Sequence, residues 1–215
     1  MEIMNRQALL ALEFLLLCIV LPTVIIIFKL APYMLLFLWA AWAVCWSIYR
    51  HYHFAELQAL WKWKAVTWEN MKPIVIRWLV CSLLMLAFTY YYDPERLFYI
   101  VKEKPQLLLF LLFFYPIFSA LPQEFIFCTF FFQRYKPFFK SRKARVWASA
   151  IVFAYAHVLF INPVAPVLSF IAGLIFASTF AKTKSLALVT IEHSMYGLVL
   201  FAVGLGWYFW GGALI

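Results

Sequence analysis

Apolar stretches long enough to cross a bilayer recur along almost the whole of this chain. Hydrophobic residues make up 67% of its 215 residues and charged residues only 13%, whereas a soluble domain carries about 25% charged residues. A helix crosses roughly 30 Å of hydrocarbon with about 20 apolar residues and satisfies its own backbone hydrogen bonds. The sequence therefore predicts an all-α fold: a polytopic transmembrane helix bundle forming one integral membrane domain over residues 1–215.

We expect seven to eight spans in this bundle. The predicted spans are 8–28, 31–49, 74–92, 106–133, 146–161, 165–181 and 186–201, with a short eighth segment near 203–215. Pro116 and Pro122 fall inside the fourth stretch, and each removes an amide donor and favours a kink or break. A break there would place Glu124 at or near the start of a helix, where free N–H groups favour a charged site.

Positive charge is concentrated in alternate connections between the spans. The net charge is +9, and most basic residues lie in segments 50–73, 134–145 and 182–184. Such loops face the cytoplasm and meet anionic lipid headgroups. We therefore expect a cytoplasmic N-terminus, a bacterial inner membrane as the location and the lipid bilayer, not a nucleic acid, as the partner. Tryptophans among the lysines of 50–73 predict an interfacial amphipathic helix there.

Three ionisable residues interrupt long apolar runs on three separate spans: Glu124, His157 and His193. An acid at a helix centre costs roughly 2.5–3.5 kcal/mol on insertion scales, so such residues are usually paired and functional. Counted from the nearest basic loop, the three lie roughly 15, 18 and 13 Å into the membrane. A carboxylate and two imidazoles at a similar depth are suited to general base catalysis.

The sequence around these residues resembles a known family of proteases. The stretches SALPQEFIFCTFF (119–131), FAYAH (153–157) and HSMYG (193–197) look like the three motifs of the CAAX protease and bacteriocin-processing family, also called CPBP or Abi. Its motifs are approximately E-E-x-x-x-R, F-x-x-x-H and H-x-x-x-N or H-x-x-x-D, and its members are glutamate-dependent intramembrane endopeptidases. The family-like core covers residues of about 105–201.

The resemblance implies a role for each matching residue. Glu124 and His157 would activate the attacking water, and His193 would steady the oxyanion. It implies no metal and no cofactor, and a membrane protein or lipid-associated peptide as the substrate. Gln123 stands where the family has its first glutamate and, with Gly197, is a candidate for binding water or substrate.

The chain departs from the family pattern at two further positions. Cys128 occupies the position of the motif's arginine, and Gly197 that of its asparagine or aspartate. Asn162, in a turn between two spans, could line the mouth of the site.

Other functions fit the same residues. A catalytically impaired relative could act as a membrane scaffold or immunity-type protein, and a Glu–His set could relay protons in a small proton-coupled transporter. Two histidines and a glutamate also match a zinc site in principle. Glu192 cannot face the same site as His193, because neighbours on a helix diverge by roughly 100°. We expect Glu192 to pair with another helix or to face a wet cavity.

Overall fold

The computed structural model describes residues 2–209, and this part of the chain is helical almost throughout, with no β-strand. Eight helices form it. They are α1 (Glu2–Leu15, Leu16–Val20 and Leu21–Ile27 in succession), α2 (Met34–Tyr52), α3 (Trp68–Tyr92), α4 (Tyr99–Glu103), α5 (Pro105–Arg134), α6 (Arg142–Ala156), α7 (Val164–Thr183) and α8 (Leu186–Ala202).

Within residues 2–209, five helical segments are long and apolar enough to cross a membrane. They are Arg6–Ile27, Ala31–Tyr52, Trp68–Tyr92, Pro105–Arg134 and Val164–Thr183. Helices α6 and α8 are shorter, at 15 and 17 residues. The last predicted segment, 203–215, begins with a 3₁₀ turn over Leu205–Phe209, and its residues 210–215 lie outside the described part. The all-α membrane bundle is thus confirmed, but a count of seven to eight spans is not.

Helix α5 runs through both of its prolines without a break. A π-helical turn over Pro116–Ala120 ends two residues before Pro122, and the carbonyl of Phe118, four residues before that proline, accepts a hydrogen bond from the indole of Trp39 at 3.1 Å. The wider turn and the indole together satisfy the backbone that proline disturbs. The expectation that Glu124 lies at a helix start is therefore wrong, because it lies within a continuous helix.

The segment before α3 is not the predicted amphipathic helix. It forms 3₁₀ turns over Phe54–Ala59 and Trp63–Ala65, and its backbone carbonyls face the start of α8. The amides of Leu186 and Ala187 each donate to a carbonyl of this segment at 3.3 Å. The segment departs from a helix because it supplies acceptors for the free N–H groups at the start of α8.

The connections between helices lie at two ends of the bundle. At one end, Lys62 donates to the carbonyl of Thr183 at 2.8 Å, and Lys184 and Arg145 both approach the ring of Phe132. Partial burial and the nearby guanidinium of Arg145 lower the pKa of Lys184. The basic segments singled out in the sequence therefore share one end.

Two contacts hold the helices that carry Glu124 and His157 against their neighbours. Arg134 at the end of α5 makes a two-pronged ion pair with Glu13 of α1, with Nε–Oε1 and Nη2–Oε2 distances of 3.0 and 2.7 Å. Helices α6 and α7 approach closely at Gly173, where an added Cβ would lie 3.0 Å from the backbone of Ala150. These contacts hold α5 against α1 and α6 against α7.

Candidate active site

Glu124 lies deep in the bundle, on α5 between two π-helical stretches. It is 1% exposed, and its Oε1 atom accepts a hydrogen bond from Nδ1 of His193 at 2.7 Å. Its other oxygen, Oε2, has no hydrogen-bond partner among the described residues. One oxygen of the carboxylate is therefore fixed by His193, and the other is a buried acceptor without a partner among the described residues.

His193 is held on both sides of its ring. Nδ1 faces Glu124, and Nε2 lies 2.9 Å from the hydroxyl of Tyr115. The ring of Phe176 stacks on the imidazole with centroids 4.5 Å apart, and Phe153 meets it edge-on at 5.9 Å. The imidazole thus has one orientation, set by two hydrogen bonds and two aromatic rings.

His157 ends α6, and a backbone contact sets its tautomer. Its Nδ1 lies 2.7 Å from the carbonyl oxygen of Phe153. Because a carbonyl only accepts, Nδ1 carries the hydrogen, and Nε2 of a neutral ring keeps a free lone pair. The ring packs against Phe153 and Phe209, with centroids 4.5 and 5.8 Å away.

A single cavity joins these groups. Its volume is about 390 Å³, its wall is mostly apolar, and its polar lining includes Tyr115, Gln123, His157 and His193. Gly197 also lines it, whereas Glu124 adjoins it through His193. The two histidines predicted from separate spans therefore share one chamber, and the carboxylate lies directly behind one of them.

The other two candidates for substrate or water binding differ in their placement. Gln123 donates from Nε2 to the hydroxyl of Ser119 at 2.9 Å, while its Oε1 has no partner among the described residues. Asn162 accepts from the amide of Ala165 at 2.9 Å and donates to the carbonyl of Tyr208 at 2.8 Å. Its amide thus secures the start of α7 and the end of the described chain. The structure does not bring Asn162 to the cavity.

Glu192 pairs with another helix, as expected. It is fully buried and forms an ion pair with Arg77 of α3, and the same guanidinium donates to Thr179 at 3.1 Å. Arg77 was not among the predicted site residues, although a lone arginine inside a predicted span is a usable signal. Over residues 2–209, no three side chains of the His, Cys, Asp and Glu types are grouped in a way that could hold a metal ion.

Comparison with known proteins gives one match. Residues 105–199 match the family model described as type II CAAX prenyl endopeptidase Rce1-like. This range contains α5, α6, α7 and most of α8, and with them Glu124, His157 and His193. The match confirms the resemblance to the CAAX proteases over this part of the chain. No curated protein and no solved structure matches the chain.

Proposed function

We propose that this chain is a metal-independent, glutamate-type endopeptidase that hydrolyses a peptide bond at or within the membrane. The observation that carries the proposal is the buried pair of Glu124 and His193 beside a cavity that His157 also lines. Ionisable groups at membrane depth are costly and mark functional sites. The match of residues 105–199 to a CAAX endopeptidase family supports proteolysis over proton transport.

Water activation would fall to Glu124 and His157. Nε2 of His157 would accept a hydrogen bond from the water, and Oε2 of Glu124 would take one of its protons. The resulting hydroxide would bond to the carbonyl carbon and form a tetrahedral intermediate. The proton would then pass from Glu124 to the leaving nitrogen as the C–N bond breaks, which balances the reaction without a further reactant.

His193 and Gln123 would assist this step. The imidazole fixes the Glu124 carboxylate and places positive charge, when protonated, close to the developing oxyanion. Gln123 has a free amide oxygen at the cavity wall, which can hold a water or a substrate amide. The neutral amide of Gln123 cannot accept a proton as a base. Of the neighbours Gln123 and Glu124, only Glu124 would therefore act as the general base.

The cavity indicates the substrate class. Its apolar wall and its volume of about 390 Å³ suit an extended peptide with an apolar side chain or a lipid group. The matched family is named for CAAX prenyl endopeptidases. We therefore propose a membrane protein or a lipid-associated peptide as the substrate. A peptide with a prenylated C-terminus is the first candidate.

A cleavage assay tests the proposal. Purified protein in nanodiscs is incubated with a prenylated CAAX peptide, its unprenylated counterpart and a transmembrane peptide, and products are identified by mass spectrometry. We expect one defined cleavage that is lost in Glu124→Ala and persists with 1,10-phenanthroline. Inhibition by the chelator would contradict metal independence. Failure of the wild type on every peptide would support the impaired, scaffold-like alternative.

A further inference from the structure

Among the hydroxyls that line the cavity and have no role in the mechanism above, that of Tyr115 is the one bonded to His193. We infer that Tyr115 is a catalytic residue whose phenol donates the hydrogen bond that stabilises the oxyanion. The inference rests on the proposed function and names a further member of the same site. Tyr115 lies in α5, nine residues before Glu124, so one helix would supply both the base and the oxyanion donor.

The position of the phenol is well defined. Its oxygen lies 2.9 Å from Nε2 of His193, and its ring meets the imidazole edge-on with centroids 5.7 Å apart. Phe201 packs against the other side of the ring at 5.6 Å. Since Tyr115 and His193 both line the cavity, this hydrogen bond lies at the wall of the space that a substrate would occupy.

Gly197 makes room for this arrangement. A Cβ added there would clash with three atoms of Tyr115, namely Cε1, Cζ and the hydroxyl oxygen. Glycine inside a helix costs about 0.5–1 kcal/mol relative to alanine, so its presence in α8 calls for a packing reason. The tyrosine supplies that reason, because any side chain at position 197 would displace the phenol from His193.

The hydrogen bonds of His193 leave the phenol as the group that can donate to a substrate oxygen. Nδ1 of His193 is committed to Glu124 and Nε2 to Tyr115, so the imidazole has no ring nitrogen left for a substrate oxygen. When His193 is an imidazolium, Nε2–H donates to the phenol oxygen. The hydrogen of the phenol is then free to point into the cavity and donate to a carbonyl oxygen as negative charge develops there.

The first test removes only the hydroxyl. Loss of one oxyanion donor lowers kcat by about 10²–10³-fold, so we expect that loss in Tyr115→Phe with KM changed less than about threefold. The matched control is Tyr155→Phe, which loses a half-buried hydroxyl bonded to Thr23 at 2.7 Å outside the cavity lining. We expect its kcat to stay within about twofold of the wild-type value, because removing one ordinary hydrogen bond costs stability, not transition-state binding.

A rescue experiment separates catalysis from packing. Tyr115→Ala empties the space above Gly197, and Gly197→Asn in that background places an amide donor in it. We expect the double variant to regain at least about tenfold in kcat over Tyr115→Ala, since a restored donor recovers part of the 10²–10³-fold loss. A purely structural tyrosine would give no such recovery.

The outcomes distinguish this inference from the proposed function. If Glu124→Ala abolishes cleavage while Tyr115→Phe keeps kcat within twofold, the role of Tyr115 is overturned and the endopeptidase stands. If cleavage survives Glu124→Ala but falls in Tyr115→Phe, Tyr115 is supported and the proposed base is wrong. If the wild type cleaves none of the peptides, both proposals fail.

Discussion

Glu124 combines a fixed oxygen with a free one. Oε1 is bound by His193, and Oε2 has no partner among the described residues. A general base needs a defined orientation and an uncommitted lone pair. His193 sets the orientation of this carboxylate, and the buried Oε2 is its uncommitted oxygen. The replacement of the family's first glutamate by Gln123 therefore leaves the proposed base in place.

Cys128 is a neutral residue at the position where the family motif has an arginine. Cys128 is 2% exposed and packs in the apolar core around α5. The group that can carry positive charge at Glu124 is His193. Charge at this site is thus confined to one carboxylate and one imidazole.

Some of the residues of this site can be identified from the sequence, and others cannot. Glu124, His157 and His193 stand out because an ionisable group in an apolar run is rare. Tyr115 does not stand out among 12 tyrosines and 24 phenylalanines. Its contact with His193 spans 78 positions and depends on the missing side chain of Gly197, which only the packing of α5 against α8 reveals.

The prolines inside the long helices predict a break, but these helices stay continuous. Proline signals a missing amide donor, but it does not tell whether the helix breaks or widens. In α1, a π-helical stretch over Leu16–Val20 again ends two residues before a proline, Pro22. The hydroxyl of Thr23 donates to the carbonyl of Ile19 at 2.6 Å. In α5 the indole that satisfies the disturbed carbonyl comes from Trp39, 79 positions from its acceptor, and the local sequence does not identify it.

The ion pair between α3 and α8 predicts a stability effect. Arg77→Met leaves the fully buried carboxyl of Glu192 without its cation, which we expect to lower the free energy of unfolding by about 3 kcal/mol. Breaking a fully buried ion pair costs about 3–5 kcal/mol, and we expect the lower value because the Arg77 side chain is 37% exposed. Thermal unfolding in detergent measures the change.

The matched control for this pair is the double variant Arg77→Met with Glu192→Gln. Removing both charges leaves no uncompensated ion, so the double variant should be more stable than Arg77→Met alone. If the two losses simply add, the side chains do not form a coupled pair. Since α8 also carries His193, we expect kcat to fall in Arg77→Met and to recover partly in the double variant.

At the scale of the whole molecule, the helical bundle was predictable and the number of spans was not. A 15-residue helix such as α6 is roughly 22 Å long, which is less than the hydrocarbon thickness. Such a helix is tolerated where neighbouring protein surrounds it. In an apolar 18-residue stretch of its partner α7, half of the residues are buried, against 11–22% in the corresponding stretches of the other four long segments. Hydropathy alone does not distinguish an inner helix from one that faces lipid.

The two ends of the bundle predict an orientation in the membrane. The end with the basic segments should face the cytoplasm because positive loops are retained there. Two exposed lysines offer a matched pair, Lys136→Cys at the basic end and Lys104→Cys at the other. In intact spheroplasts, a membrane-impermeant maleimide should label Lys104→Cys alone, and Lys136→Cys only after permeabilisation. The reverse pattern would overturn the proposed orientation.

The most direct test of the proposed endopeptidase compares kcat for two single substitutions on the same peptide. General base catalysis contributes about 10²–10⁴-fold, so Glu124→Gln should lower kcat by that factor while its shape and hydrogen bond to His193 are largely kept. Gln123→Glu should keep kcat within about tenfold, since the base is already present. Wild-type kcat in Glu124→Gln, or activity that appears only in Gln123→Glu, would contradict Glu124 as the base of this site.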